Sequence, residues 1–146
     1  MTEIQNFKLA SADLLEKYQH LEETIKACLQ SYILCLDSND SKPCDERKLG
    51  KITLGASVTE FAKIHSDDTL ISDLRRVVPE RNKLAHGSLS LTIGECSDKD
   101  YLMRRTTELK DLTAQITEIH NRVLEVRFLY KRREREKLRK SKSKIT

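Results

Sequence analysis

The sequence predicts an all-α fold, an antiparallel helical bundle in which two long helices frame several short central ones. Three observations carry that expectation. Only two prolines and four glycines occur in 146 residues, and 34% of the chain is charged, with Leu, Lys, Glu, Arg and Ile dominant, the usage of long amphipathic helices. Two long stretches place apolar residues at alternating steps of three and four, the spacing of one helical face. A polar–apolar alternation occurs over 88–93, and a single such strand has no evident partner, so it reads as an extended connection. The length fits one domain with a real core.

The first long helix is expected over 3–36. Ile4, Phe7, Leu14, Tyr18, Leu21, Ile25, Cys28, Tyr32 and Cys35 fall on one stripe, with Ser11 the polar exception, and Leu15, Leu29, Ile33 and Leu36 widen it. Turn formers from Asp37 to Pro43 end it. The region that follows is irregular. Gly50 is placed to cap a short turn and Gly55 to allow close packing. A helix is expected over 56–64, and another over 69–77 capped by Asp67 or Asp68. Pro79 suits the first turn of a further short helix, where its missing N–H is unpaired anyway; Gly87 is placed to end that helix in a left-handed conformation.

The last helix starts at an N-cap, Ser97 or Asp98, and carries Leu102, Leu109, Leu112, Ile116, Ile119, Val123, Val126 and Tyr130 as its stripe. Two helices of some 35 residues each reach about 50 Å. Neither buries its stripe alone, and antiparallel packing with the termini at one end is the expected solution.

Charge is distributed unevenly. Residues 131–144 hold nine of the 27 basic and two of the 23 acidic residues. The chain therefore divides into a helical domain over 1–130 and a basic C-terminal helix end over 131–146. The basic segment suits contact with a polyanion such as RNA, or a solvated helix end whose cations complement the dipole. No apolar run is long enough to span a membrane. Met1-Thr2-Glu3-Ile4-Gln5 lacks a basic region followed by an apolar one, so a cytoplasmic protein is expected.

Cys28 and Cys35 share a core-like face, Cys44 lies in a polar loop and Cys96 just before a helix. No CxxC pair occurs, and His20, His65, His86 and His120 show no ligand spacing relative to the cysteines. Reduced structural thiols are expected, with no metal and no cofactor. His20 and His120 can meet if the long helices pack antiparallel, but neither falls on its stripe and both also read as partly exposed surface histidines; His65 reads as a helix cap.

The chemistry-bearing run is Arg81-Asn82-Lys83-Leu84-Ala85-His86, followed by Gly87. It sets a permanent cation and a histidine that titrates near neutrality within two helical turns. Arg81 and His86 lie about 140° apart around a helix, whereas Asn82 and His86 share a face. One copy is therefore poorly arranged as an active site, and two copies across a two-fold axis bring one arginine toward the other histidine. Nearby Arg75, Arg76 and Lys83 suit phosphate contact or a solvated surface. Arg104 and Arg105 open the last helix against its dipole, which points to an acid or a phosphate as partner.

The segment Asp73-Leu-Arg-Arg-Val-Val-Pro-Glu-Arg-Asn-Lys-Leu-Ala-His-Gly87 resembles the signature of HEPN domains, in which an arginine and a histidine are separated by four to six residues. Asn82 directly after Arg81 resembles the ribonuclease branch, and Leu-Gly-Lys-Ile-Thr-Leu-Gly55 is similar to glycine-containing segments of abortive-infection members. The resemblance implies a symmetric homodimer with a metal-independent endoribonuclease site in its interface. Arg81 and His86 would then be catalytic and Asn82 would orient them. It also implies a toxin–antitoxin or antiviral setting, with RNA as substrate and a protein antitoxin or defence-complex partner as restraint. Members controlled by AMPylation resemble a pattern with Tyr two residues after the histidine; Ser88 stands there, which argues against that control.

The residue types leave plainer readings open. Arg81 can pair with Glu80 or with an acid on a neighbouring helix, and His86 can simply cap its helix. HEPN-like domains without activity serve as dimerisation or binding modules, so fold does not settle function. A coiled-coil adaptor that binds through its basic end is a third reading.

Overall fold

The computed structural model describes residues 1–37, 39–84 and 91–144. They form α1 (Glu3–Cys35), a 3-10 segment (Glu46–Lys51), α2 (Leu54–Ile64), α3 (Asp68–Lys83), α4 (Ile93–Ser97) and α5 (Lys99–Ser143). The fold is an all-α bundle with α1 and α5 framing the shorter helices. Each α-helix opens on a side-chain cap. Thr2 forms a reciprocal capping box with Gln5, and Thr53, Asp67, Thr92 and Asp98 accept backbone N–H groups at the starts of α2 to α5.

The two long helices pack parallel, not antiparallel as the sequence suggests. Their contacts climb together: Thr24 meets His120, the Cys28 thiol meets the carbonyl of Val123, the Tyr32 ring meets the Tyr130 ring, and Lys137 meets the carbonyl of Leu36. The connection explains the sense. From α1 the chain runs back through the 3-10 segment, where Gln30 bonds Glu46 and Lys26 bonds the Gly50 carbonyl. It then climbs along α2, whose Ile64 carbonyl takes the Tyr130 hydroxyl. It descends along α3, where Asp73 pairs with Arg122 and Arg76 with Gln115. Entering α5 makes a fourth reversal, and an even number of reversals returns the chain in its starting direction. Periodicity reports the buried face and carries no information on how often the chain turns.

The stripes pack as their spacing dictates. Leu14, Leu21, Ile25, Cys28 and Leu29 of α1 are fully enclosed, as are Ile116 and Val123 of α5. Phe61 of α2 and Leu70, Leu74 and Val77 of α3 complete the same core. Each such side chain contributes about 1.5–3 kcal/mol by leaving water.

Three local expectations are corrected. Pro79 does not begin a new helix but lies inside a continuous α3. An internal proline costs a helix about 3 kcal/mol, and packing outweighs that cost here, because Leu70, Ile71, Leu74 and Val77 before the proline and Leu84 after it are all buried. Gly55 is not needed for close approach: a Cβ there would lie 3.4 Å from Val78 Cγ1, an ordinary contact. Ile93 begins α4 instead of ending an extended connection, so Cys96 lies within a helix. The alternating residues 88–90 and the expected Gly87 cap lie outside the described residues.

The helix α5 runs 45 residues, ten beyond the expected length, and continues unbroken through the basic segment. Among the described residues no helix is long and apolar enough to cross a membrane.

Candidate active site

Arg81 and Asn82 lie in the last turn of α3, while His86 lies outside the described residues. The turn is anchored from α1. Tyr18, buried in the core, donates its hydroxyl to the Val77 carbonyl at 2.8 Å. Burial, and then the charge of Glu80, raise the Tyr18 hydroxyl well above the usual phenol range, against the opposite pull of Arg76 and Arg81. Tyr18 thus stays protonated at neutral pH and acts as a positioning donor, not as a proton shuttle.

The end of α3 divides its side chains between two grooves. Arg81 faces α1 and the start of α2, lining a 330 Å³ groove with Leu15, Tyr18, Gln19, Glu22 and Leu54. Glu80, Lys83 and Leu84 face α5 across a 440 Å³ groove that also holds Arg76, Arg105 and Glu108. Asn82 is exposed and lines neither.

Charge pairing sorts the cations. Glu80 pairs with Lys83 at 3.2 Å, and Glu22 with Lys26 at 3.5 Å. The plainer reading, Arg81 paired with Glu80 or with an acid on a neighbouring helix, is not realised: Arg81 has no ion pair or hydrogen bond among the described residues. Arg76 is held by Gln115 at 2.7 Å and by Asp73 at 3.6 Å. Asp73 in turn binds Arg122 at 2.6 Å, and chiefly that bond holds its carboxyl below the ordinary range. Arg105 finds an acid, Glu108 at 2.5 Å, and Arg104 sits over the Tyr101 ring. The Tyr101 hydroxyl, followed by Thr92, lowers the Glu95 carboxyl. These contacts give both arginines at the start of α5 an intramolecular role.

The histidines divide similarly. His65 is the C-cap of α2 and stacks on Phe61. His20 and His120 are brought to one place through Thr24, whose hydroxyl donates to the His20 carbonyl at 2.8 Å and contacts His120 Nε2 at 2.7 Å. A hydroxyl has one proton, so Thr24 accepts from His120 Nε2–H, which sets the neutral tautomer. Burial, then Lys17 and His20, lower the His120 pKa.

The four cysteines are free. Burial pushes the Cys28 thiol up to about 12, against the pull of Arg127, and raises Cys35 and Cys44 as well. None of these three is an activated thiolate. Among the described residues no three His, Cys, Asp or Glu side chains gather around a common point.

Sequence reasoning missed the role of Tyr18, because its place on the core stripe concealed the reach of its hydroxyl. It also missed the exposure of Phe128 on α5, for which its position off the Val123–Val126–Tyr130 stripe was the available signal. No family model, curated protein or solved structure matches the chain.

Proposed function

We propose that this chain is a metal-independent endoribonuclease of HEPN type, acting as a homodimer in a toxin–antitoxin or antiviral system. The supporting observation is Arg81, a guanidinium without a counter-ion among the described residues, held in a groove beside Asn82 at the end of α3. An unpaired, half-buried arginine is suited to receive an anion. The motif supplies the other groups. A ribose 2′-OH loses its proton and attacks the adjacent 3′-phosphate, His86 serves as general base or acid, and Arg81 stabilises the charge on the phosphorane. Asn82 orients the imidazole. The 5′-oxygen leaves with a proton, giving a 2′,3′-cyclic phosphate and a 5′-hydroxyl; DNA is inert for want of the nucleophile. On an ideal helix residues five apart point about 140° away from each other, so the proposed site takes its arginine and its histidine from two copies, and a protein antitoxin that covers the interface would restrain it.

The test is incubation of total RNA with wild type and with Arg81→Ala and His86→Ala in EDTA, followed by end-group analysis. Cleavage by wild type alone, leaving cyclic phosphates, is the expected result. Intact RNA after incubation with a folded wild-type dimer would overturn the catalytic reading and leave a dimerisation or binding module.

A further inference from the structure

The basic segment of α5 sorts its cations by face. Those toward the bundle, and Lys131 at the edge of the outer face, are engaged. Lys131 pairs with Glu134 at 3.4 Å, Arg133 lies over the Tyr130 ring, and Lys137 holds the Leu36 carbonyl at 2.6 Å and Asp37 at 3.5 Å. On the opposite side Arg132, Arg135 and Arg139 are exposed and make no ion pair or hydrogen bond among the described residues. With Phe128 they fall within an arc of about 60° along some 16 Å of helix. Phe128 is 75% exposed, an unusual position for a phenylalanine in a chain that encloses Phe7 and Phe61. All four line one surface groove, together with Leu124, Arg127, Lys131 and the acid Glu136.

We infer that this outer face of α5 is a binding track for single-stranded nucleic acid, with the three arginines on successive phosphates and Phe128 stacking on a base. The combination selects the partner. A row of free guanidinium groups tracks a phosphate backbone, and an exposed aromatic ring at its head offers a base the π-face that single-strand binders use. A membrane-surface helix would need a broad apolar face opposite its charges, and here that face, with Val126 and Tyr130, is buried in the core. A second copy of the same stripe is repelled by like charge. The track stands apart from the Arg81 groove and does not depend on cleavage.

The experiment measures fluorescence anisotropy of labelled oligothymidylate with the full chain across a salt series. The probe lacks a 2′-OH and survives the proposed chemistry, so binding is read separately from cutting. Wild type is expected to bind with steep salt dependence. Replacing Arg132, Arg135 and Arg139 together by Ala should lower the slope of log K against log salt by about 2, at roughly 0.7 per phosphate contact. Phe128→Ala should weaken binding about tenfold and leave the slope unchanged. Binding by both variants equal to that of wild type would overturn the inference. So would binding to phosphatidylserine vesicles without binding to the oligonucleotide, or a dimer that Phe128→Ala dissociates while oligonucleotide affinity stays constant.

Discussion

The Tyr18 hydroxyl reaches the Val77 carbonyl across 59 residues of sequence and 2.8 Å of space. It joins the middle of α1 to the turn of α3 that precedes Arg81, so the position of the candidate guanidinium is set from the bundle core. Tyr18→Phe keeps the ring and removes only that bond. A loss of about 1 kcal/mol is expected, read as a Tm lower by roughly 3 °C. RNA cleavage should fall by more than the folded fraction does, because the end of α3 loses its tether.

Arg81 itself contributes little to folding, since it has no partner among the described residues. Arg81→Ala should leave the thermal transition nearly in place. On the proposed function Arg81→Ala should lower the cleavage rate by about 10²–10³, and Arg81→Lys should recover only part of it, since an ammonium lacks the forked geometry. Single-turnover cleavage of a defined RNA under EDTA measures both.

His120 predicts a pH dependence of stability. Its pKa in the folded chain is lowered by burial, by Lys17 and by His20, so between the folded and unfolded values the unfolded chain binds more protons. Stability from this group is therefore complete above the unfolded value of about 6.5 and declines as pH falls through that value toward the folded one. Urea unfolding at a series of pH values from neutral to acidic should show the decline, and His120→Gln should flatten it.

Gly55 is the second residue of α2, and a methyl group there would meet Val78 Cγ1 at 3.4 Å, an ordinary contact. Gly55→Ala should raise stability by about 0.5 kcal/mol through lower unfolded-chain entropy. A higher urea midpoint with an unchanged m-value checks this.

Lys137 supplies from α5 what α1 lacks in its own last turn, a cation at its C-terminal carbonyls. Lys137→Met keeps the stem and removes the charge. Amides at the end of α1 should then exchange roughly fivefold faster, the equivalent of about 1 kcal/mol of local stability.

The fold class and the core were legible in the sequence because burial imposes period and spacing: Phe7, Leu14, Leu21, Ile25 and Cys28 lie where the stripe places them. Caps such as Asp67 and Asp98 were legible for the same local reason. The parallel sense of α1 and α5 was not, since the number of chain reversals between them leaves no periodic trace. The continuous α3 was not legible either, because Pro79 carries a local signal that only tertiary packing of Val77 and Leu84 overrides. At the candidate site the residue types of Arg81 and Asn82 could be read directly. Their allocation to different surroundings depended on how α3 is rotated against α1, which no spacing within α3 encodes.

The parallel pairing also sets the order in which the chain can form its core. The contacts that join α1 to α5 separate residues by 95, 96 and 101 positions. A ribosome adding about 5–20 residues per second exposes the stripe of α1 for roughly 5–20 s before its main partner is made. During that interval the 3-10 segment, α2 and α3 cover it, through Gln30 and Glu46, the residues around Leu54, and Tyr18. Synthesis speed and the strength of these early contacts on α1 thus decide how much nascent chain reaches the native bundle and how much aggregates.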